Sequence, residues 1–427
     1  MKKYLVLTGF LAFTLFVWAQ NPTEELAFYQ KQAQDASKQT QQELVNNLQT
    51  WLDANASLPA ASKALILKAN LEKNLKAYPD CLITLLRYKY EFSPIEKTNV
   101  QSVLKDGVKD FPKNEQEIYD DLINRRVPQA DLPNRLDNFL ALATKANLKG
   151  TYQPLVKEYN NFFKRFKNYE ELDRLELMYG DLHRNNKNPY GALMQYQKVW
   201  EVYPDTKYKA AALRMQGDVY ASNLKDYEKA KTTYEKVLND FPTSLERPTA
   251  YYHLAVMEES QREYNEAVEH LGFAAKLYQE QGDKDSLYDV LNFKAAIQEK
   301  KLKDYEGAAQ TLKETSALFK NNEQKYIQTQ LKLADLYNSK LRDNVSERKA
   351  YEDILRTYPN SKQADKAVFE IANLAKEAGE YQMAANYLER LIVNNPSSEY
   401  AGKAQRQLNS LNKKIAKTNK WVQNAKN

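Results

Sequence analysis

Between residues 364 and 400 the apolar positions recur every three or four residues, stop, and resume. Ala367, Val368, Ile371, Ala372 and Ala375 fall on one face of a helix. Lys376-Glu-Ala-Gly379-Glu interrupts them, and glycine can take the left-handed turn at a helix end. Ala384, Leu388, Leu391 and Ile392 form a second stripe. Asn395-Pro396 closes it, because the residue before proline is biased away from the helical region. Ser397-Ser398, and likewise Asn360-Ser361 and Thr243-Ser244, stand where side chains can cap a following helix. The pattern predicts two helices joined by a short turn.

The same pattern returns along the chain. A Tyr, two residues and a small residue appear as Tyr227-Glu-Lys-Ala230, Tyr264-Asn-Glu-Ala267, Tyr305-Glu-Gly-Ala308 and Tyr381-Gln-Met-Ala384, and in shortened form as Tyr190-Gly-Ala192. The small residues advance by 38, 37 and 41 positions, then by 76 across two units. In the unit between, Glu347 takes the place of the small residue, ahead of Tyr351, Ile354 and Pro359. Six two-helix units are therefore expected over 166–400. A repeat of this length cannot bury its apolar face alone and must stack on its neighbours. Residues 20–165 carry the same material less regularly. Trp51-Leu52, Ala64-Leu65, Leu82, Leu85 and Tyr88 have helical spacing, Pro59, Pro79, Pro94 and Pro112 punctuate it, and Tyr29–Thr50 reads as one polar first helix.

These positions resemble the tetratricopeptide repeat, a helix-turn-helix unit of about 34 residues. Its small first-helix residue is matched by Gly180, Gly217, Ala255, Ala296, Ala334 and Ala372. Its second-helix small residue, bulky residue and closing proline are matched by Ala192-Tyr196-Pro204, Ala230-Tyr234-Pro242 and Ala384-Leu388-Pro396. The units ending near 279 and 319 lack the proline, and the long steps imply extended helices. The resemblance implies an all-α fold, a right-handed α-solenoid, with residues 401–427 as a basic capping helix and tail. The Tyr-Pro-Asn-Ser and Asn-Asn-Pro-Ser-Ser joints are similar to those of periplasmic repeat proteins. Examples are the repeat lipoprotein of outer-membrane β-barrel assembly and the repeat coordinator of the Tol-Pal system.

Composition narrows the function. Eleven Gly in 427 residues, no two closer than ten positions, cannot build a Gly-rich phosphate loop. One Cys excludes a disulfide framework and a multi-Cys metal cluster. At the N-terminus, Lys2 and Lys3 precede an apolar stretch from Tyr4 to Trp18, and Val17-Trp18-Ala19 supplies small residues for cleavage. This predicts a signal peptide at 1–19 and export to a bacterial periplasm, with retention as an anchor the alternative. The one cysteine, Cys81, lies far beyond the cleavage region, so no cysteine stands at the expected cleavage site for a lipid to modify. The formal charge of +6 becomes +4 once Lys2 and Lys3 are gone. Seven basic residues and no acid follow Glu399, so the body from 20 to 399 carries −3.

Candidate chemistry is sparse. His183, His253 and His270 lie on separate predicted helices without metal-ligand spacing, and Cys81 opens an apolar helix as a structural thiol. Asp283 and Asp285 lack the rest of a calcium loop. Gly191-Ala-Leu-Met194-Gln195 resembles a fragment of the lytic transglycosylase signature, but the nearest Glu-Glu-Ser, at 258–260, follows it by more than sixty residues. No catalytic residue, cofactor, metal, nucleic acid or small-molecule substrate is therefore expected. The expected partners are proteins of the envelope or outer membrane. A helical enzyme acting on peptidoglycan and a structural cell-wall protein are the alternatives.

Two surfaces remain. The family register places Arg214, Tyr252, Phe293 and Phe369 toward the groove lined by first helices, where they form either an aromatic track for a segment of another protein or inter-repeat core. The Lys/Asn carboxylate clamp of chaperone-binding repeats is not reproduced. In the tail, Lys403, Arg406, Lys413, Lys414, Lys417 and Lys420 surround an apolar face of Ala404, Leu408, Leu411 and Ile415. These cations form either a solvated face or a contact for an anionic membrane surface.

Overall fold

The turns that make the hairpins are built from a backbone feature and a capping side chain. Lys187, Lys225, Arg262, Lys303, Arg342 and Gly379 take positive φ, from 54° to 76°. Five of these six left-handed positions hold a long basic side chain where glycine is the usual occupant. The next residue stands at the N-cap of the second helix. Asn188, Asp226, Asp304 and Asp343 accept hydrogen bonds from the backbone N–H of Gly191, Lys229, Gly307 and Ser346 (2.9–3.2 Å).

The computed structural model describes residues 21–92, 97–109, 111–112 and 116–424. The expected signal peptide at 1–19 lies outside the described residues. The chain divides into two compact units, 1–230 and 231–427. The first holds α1 (Pro22–Gln32), α2 (Lys38–Asn55), α3 (Ala61–Asn74), α4 (Tyr78–Phe92), α5 (Lys97–Val108), α6 (Gln116–Asn124), α7 (Leu132–Ala146), α8 (Tyr152–Arg165), α9 (Leu172–Asn185), α10 (Pro189–Glu201) and α11 (Lys209–Asp218). The boundary falls inside α12 (Tyr227–Asp240). The second unit continues with α13 (Arg247–Gln261), α14 (Tyr264–Gln281), α15 (Lys284–Ile297), α16 (Tyr305–Leu318), α17 (Glu323–Leu336), α18 (Asn344–Thr357), α19 (Ala364–Glu377), α20 (Tyr381–Asn394) and α21 (Ala401–Asn424). No strand occurs among the described residues.

The repeat skeleton is realised as close packing. Ala192, Ala230, Ala267, Ala308 and Ala384 have no exposed surface, and Tyr196, Tyr234, Leu271 and Leu388 are buried one turn later. A Cβ at Gly180 would lie 2.3 Å from the Tyr196 ring, so this first helix has no room for a larger residue there. Ala255, Ala334 and Ala372 are fully buried, and Ala296 half-buried.

One residue of the extra length in three of the units has a specific cause. Val219–Leu224, Gln298–Leu302 and Tyr337–Leu341 are π-turns that extend α11, α15 and α17. Lys225, Lys303 and Arg342 donate N–H to the carbonyl five residues back, at Tyr220, Gln298 and Tyr337. In α-helical turns the closing bond also spans five residues, as from Asn188 to His183 and from Glu380 to Ala375. With a π-turn it spans six, as from Asp304 to Gln298 and from Asp343 to Tyr337. One residue has been inserted in each.

The irregular N-terminal part is held by buried ionic and carbonyl ties between its helices. Arg87 on α4 is 1% exposed and meets Glu91 (3.2 Å) and Glu158 on α8 (3.3 Å), while Arg165 reaches Glu91 at 2.6 Å. Arg135 on α7 donates to the last carbonyls of α4, at Tyr90 (2.8 Å) and Glu91 (3.1 Å). Lys89 does the same for the end of α6 through the carbonyls of Ile123 and Arg125. The single polar helix expected over Tyr29–Thr50 is instead two. Ser37 adopts extended backbone (ψ 162°) and its hydroxyl accepts from Thr40 N–H, which ends one helix and starts the next.

Candidate partner-binding surfaces

The four groove candidates occupy one register position on the first helices α11, α13, α15 and α19, and each is half-buried. In the first unit, Arg214 on α11 holds Asp218 at 2.6 Å, and Asp218 is also approached by Arg184 at 3.6 Å. Arg214 is thus part of an ionic seam. In the second unit, Tyr252 on α13 and Phe293 on α15 meet edge to face with ring centres 6.0 Å apart. Both pack on the core of α13–α15, with part of each ring buried and part open. Val256, one turn beyond Tyr252, is 41% exposed and widens this apolar strip. Phe369 on α19 contacts Tyr400 at 5.4 Å, ahead of α21.

Sequence reasoning passed over Val256 and over Leu331 on α17, which is half-buried against its own core. The available signal was the register itself, since Leu331 stands 38 positions after Phe293 and 38 before Phe369. It also passed over polar rungs between first helices. Lys332 donates to Asn292 (2.5 Å), Lys301 pairs with Glu259 (2.8 Å), and Gln407 donates to Asn373 (2.8 Å).

In α21 the apolar stripe of Ala404, Leu408 and Leu411 is buried and Ile415 half-buried, all on the core of α19 and α20. Lys403, Arg406, Lys413, Lys414 and Lys417 are exposed, and none forms an ion pair with a described residue. Lys403 and Lys414 lie over the rings of Tyr400 (5.6 Å) and Tyr381 (4.8 Å), which holds their stems along the helix. The side chain of Lys420 lies outside the described residues.

The remaining polar candidates have structural partners. Cys81 is fully buried, and burial pushes its thiol up to about 12. His183 is buried with Nδ1 2.9 Å from Tyr152 Oη, and burial lowers its pKa. His270 pairs with buried Glu258 at 2.8 Å, and His253 stands against the Tyr234 and Tyr252 rings. Asp283 caps α15, and Asp285 pairs with Lys325 at 2.5 Å. Among the described residues no group of three or more His, Cys, Asp or Glu is placed to hold a metal, and no helix is long and apolar enough to cross a membrane.

Residues 211–244 match the model of the tetratricopeptide repeat, and residues 285–424 match the YfiO family, described as outer membrane lipoprotein. No curated protein matches the chain. Similar solved structures include PilF of Pseudomonas aeruginosa, at 19% identity over 56% of this chain and 98% of that one, with a TM-score of 0.33. A signal-transduction ATPase with a tetratricopeptide repeat sensor from Pyrococcus horikoshii is 13% identical over 82% of this chain and 55% of its own, with a TM-score of 0.42. A tetratricopeptide repeat protein from Parabacteroides merdae is 16% identical over 65% of this chain and 98% of its own, with a TM-score of 0.28. The chain is an all-α tetratricopeptide-repeat solenoid that resembles the YfiO family, and its build is that of a protein-interaction scaffold.

Proposed function

We propose that this chain is an exported, non-enzymatic scaffold of the bacterial cell envelope that works at the outer membrane and binds other proteins there. The observation that carries the reading is the apolar strip of Tyr252 and Phe293, half-buried on adjacent first helices and backed by core, with exposed Val256 beside them. Rigid aromatic anchors with one face open are what an extended segment or amphipathic helix of a partner needs, since little side-chain entropy is lost on docking. Support for the envelope comes from the signal-like N-terminus and from the likeness of residues 285–424 to a family of outer membrane lipoproteins. Because Cys81 is buried, contact with a membrane surface is assigned instead to the exposed cations of α21.

Affinity capture from envelope extracts tests the seam. Wild type should retain discrete outer-membrane or periplasmic proteins that a Tyr252→Ala/Phe293→Ala variant of unchanged helicity loses. An identical set of captured proteins would exclude the seam as the binding surface.

A further inference from the structure

Between two second helices of the second unit runs a groove unrelated to the first-helix seam. Its floor is one stripe of α17 and its π-turn: Tyr326, Gln330, Leu333 and Tyr337. One wall is the face of α16 that carries Lys313 and Ser316, continued by Lys320 in the turn that follows. The other is the face of α18 that carries Lys349, Asp353 and Arg356. The cavity holds about 320 Å³, at the lower end of the ~300–1,000 Å³ typical of small-molecule sites.

The charges along it do not balance. Four cations line the groove against one carboxylate, and that carboxylate, Asp353, is already engaged by Arg356. Lys313, Lys320 and Lys349 form no ion pair with a described residue. Lys313 is instead held over the Tyr337 ring, 5.7 Å from its centre. The floor adds a second, independent sign. Tyr337 is 6% exposed, and its hydroxyl is buried without a hydrogen-bond partner. A buried orphan hydroxyl costs free energy unless something absent from the free chain satisfies it. Ser316 Oγ accepts from Gln330 Nε2 at 2.9 Å, which leaves its own proton to donate. Tyr337 also opens a π-turn, a local distortion that recurs at functional sites.

We infer that this groove binds a phosphate monoester. The group must bring negative charge in excess of one and several acceptor oxygens to meet three lysines and two hydroxyl donors, which a phosphate monoester does and a single carboxylate does not. Leu333, Ala317 and Ala350 leave room beside it for a small apolar body. The same chemistry is offered by a soluble sugar or glycerol phosphate and by the headgroup of phosphatidic acid.

Calorimetric titration of the full chain with glycerol 3-phosphate, alongside inorganic phosphate, tests the site. Saturable one-to-one binding is expected, weakened about tenfold by Tyr337→Phe, the loss expected from one hydrogen bond to a charged group. Lys320→Gln/Lys349→Gln should weaken it further, with thermal midpoints unchanged because neither lysine has an ionic partner to lose. A parallel arm sediments the protein with phosphatidylcholine vesicles with and without phosphatidic acid. Retention by phosphatidic acid that Tyr337→Phe reduces, and that glycerol 3-phosphate competes away, identifies a lipid headgroup as the source. Retention that Tyr337→Phe leaves intact, together with calorimetric binding, identifies a soluble ester. Absence of saturable binding to either soluble probe, or binding that both variants leave unchanged, overturns the proposal.

Discussion

Glu347 occupies the position that alanine fills in the other legible units, and its surroundings show how one residue is accommodated. It is 4% exposed, and Asn338 Nδ2, nine residues earlier in the π-turn of α17, lies 3.0 and 3.1 Å from its two oxygens. Burial raises the carboxyl pKa; the Asn338 hydrogen bond opposes this, and Glu370, Glu377 and Asp335 add repulsion. A carboxyl whose pKa is raised on folding contributes stability below its unfolded value, and that contribution is lost as pH rises through the folded value. Glu347→Gln keeps an acceptor for Asn338 and removes the charge. It should therefore be more stable than wild type at neutral pH, by on the order of 1 kcal/mol, with the difference vanishing below about pH 4. Denaturation at the two pH values measures it, and equal stability at both would show the site to be electrostatically indifferent. The departure at Glu347 was visible in the sequence, but its compensation was not, because nothing marks Asn338 as its partner. Arg87 escaped notice for a related reason. A charged residue on a helix reads as solvated, and only tertiary contact with Glu158, 71 positions away, reveals it as buried.

At the scale of the element, the repeat period was legible because small and bulky residues must alternate wherever paired helices approach. The turns were not. Sequence reasoning looked for glycine and found it at Gly379, whereas five of the six hairpins use Lys or Arg in the left-handed region. Those residues are good helix formers, so propensity carries no signal of a stop; the signal lies in the Asp, Asn or Glu that follows. The π-turns were equally hidden, since one inserted residue is lost among steps that already range from 37 to 41. Left-handed backbone costs an L-residue about 1–2 kcal/mol, and glycine returns part of that as unfolded-chain entropy. Arg342 is exposed with φ 54°, and its side chain makes no hydrogen bond with a described residue. Arg342→Gly should raise stability by about 0.5 kcal/mol and Arg342→Val should lower it by about 1 kcal/mol or more. Denaturant midpoints for the two variants check the order, and Val above Gly would mean the turn is not under this strain.

At the scale of the molecule, the net charge conceals a division. The body from 20 to 399 is mildly acidic, while the stretch after Glu399 is wholly basic and its described cations face solvent. Each basic residue near an anionic membrane is worth about 1 kcal/mol. Binding to phosphatidylglycerol vesicles should thus fall steeply with salt and be abolished by Lys413→Glu/Lys414→Glu/Lys417→Glu. Vesicle binding that survives this reversal would assign the contact to another surface. The central claim, however, is that partner proteins dock on the first-helix seam. Site-specific photo-crosslinking in intact cells tests it most directly, with the probe at exposed Val256 and a control at exposed Glu269 on α14. Discrete protein adducts at Val256 that are absent at Glu269 are the predicted result. Equal labelling at both positions, or adducts at neither, would contradict the account.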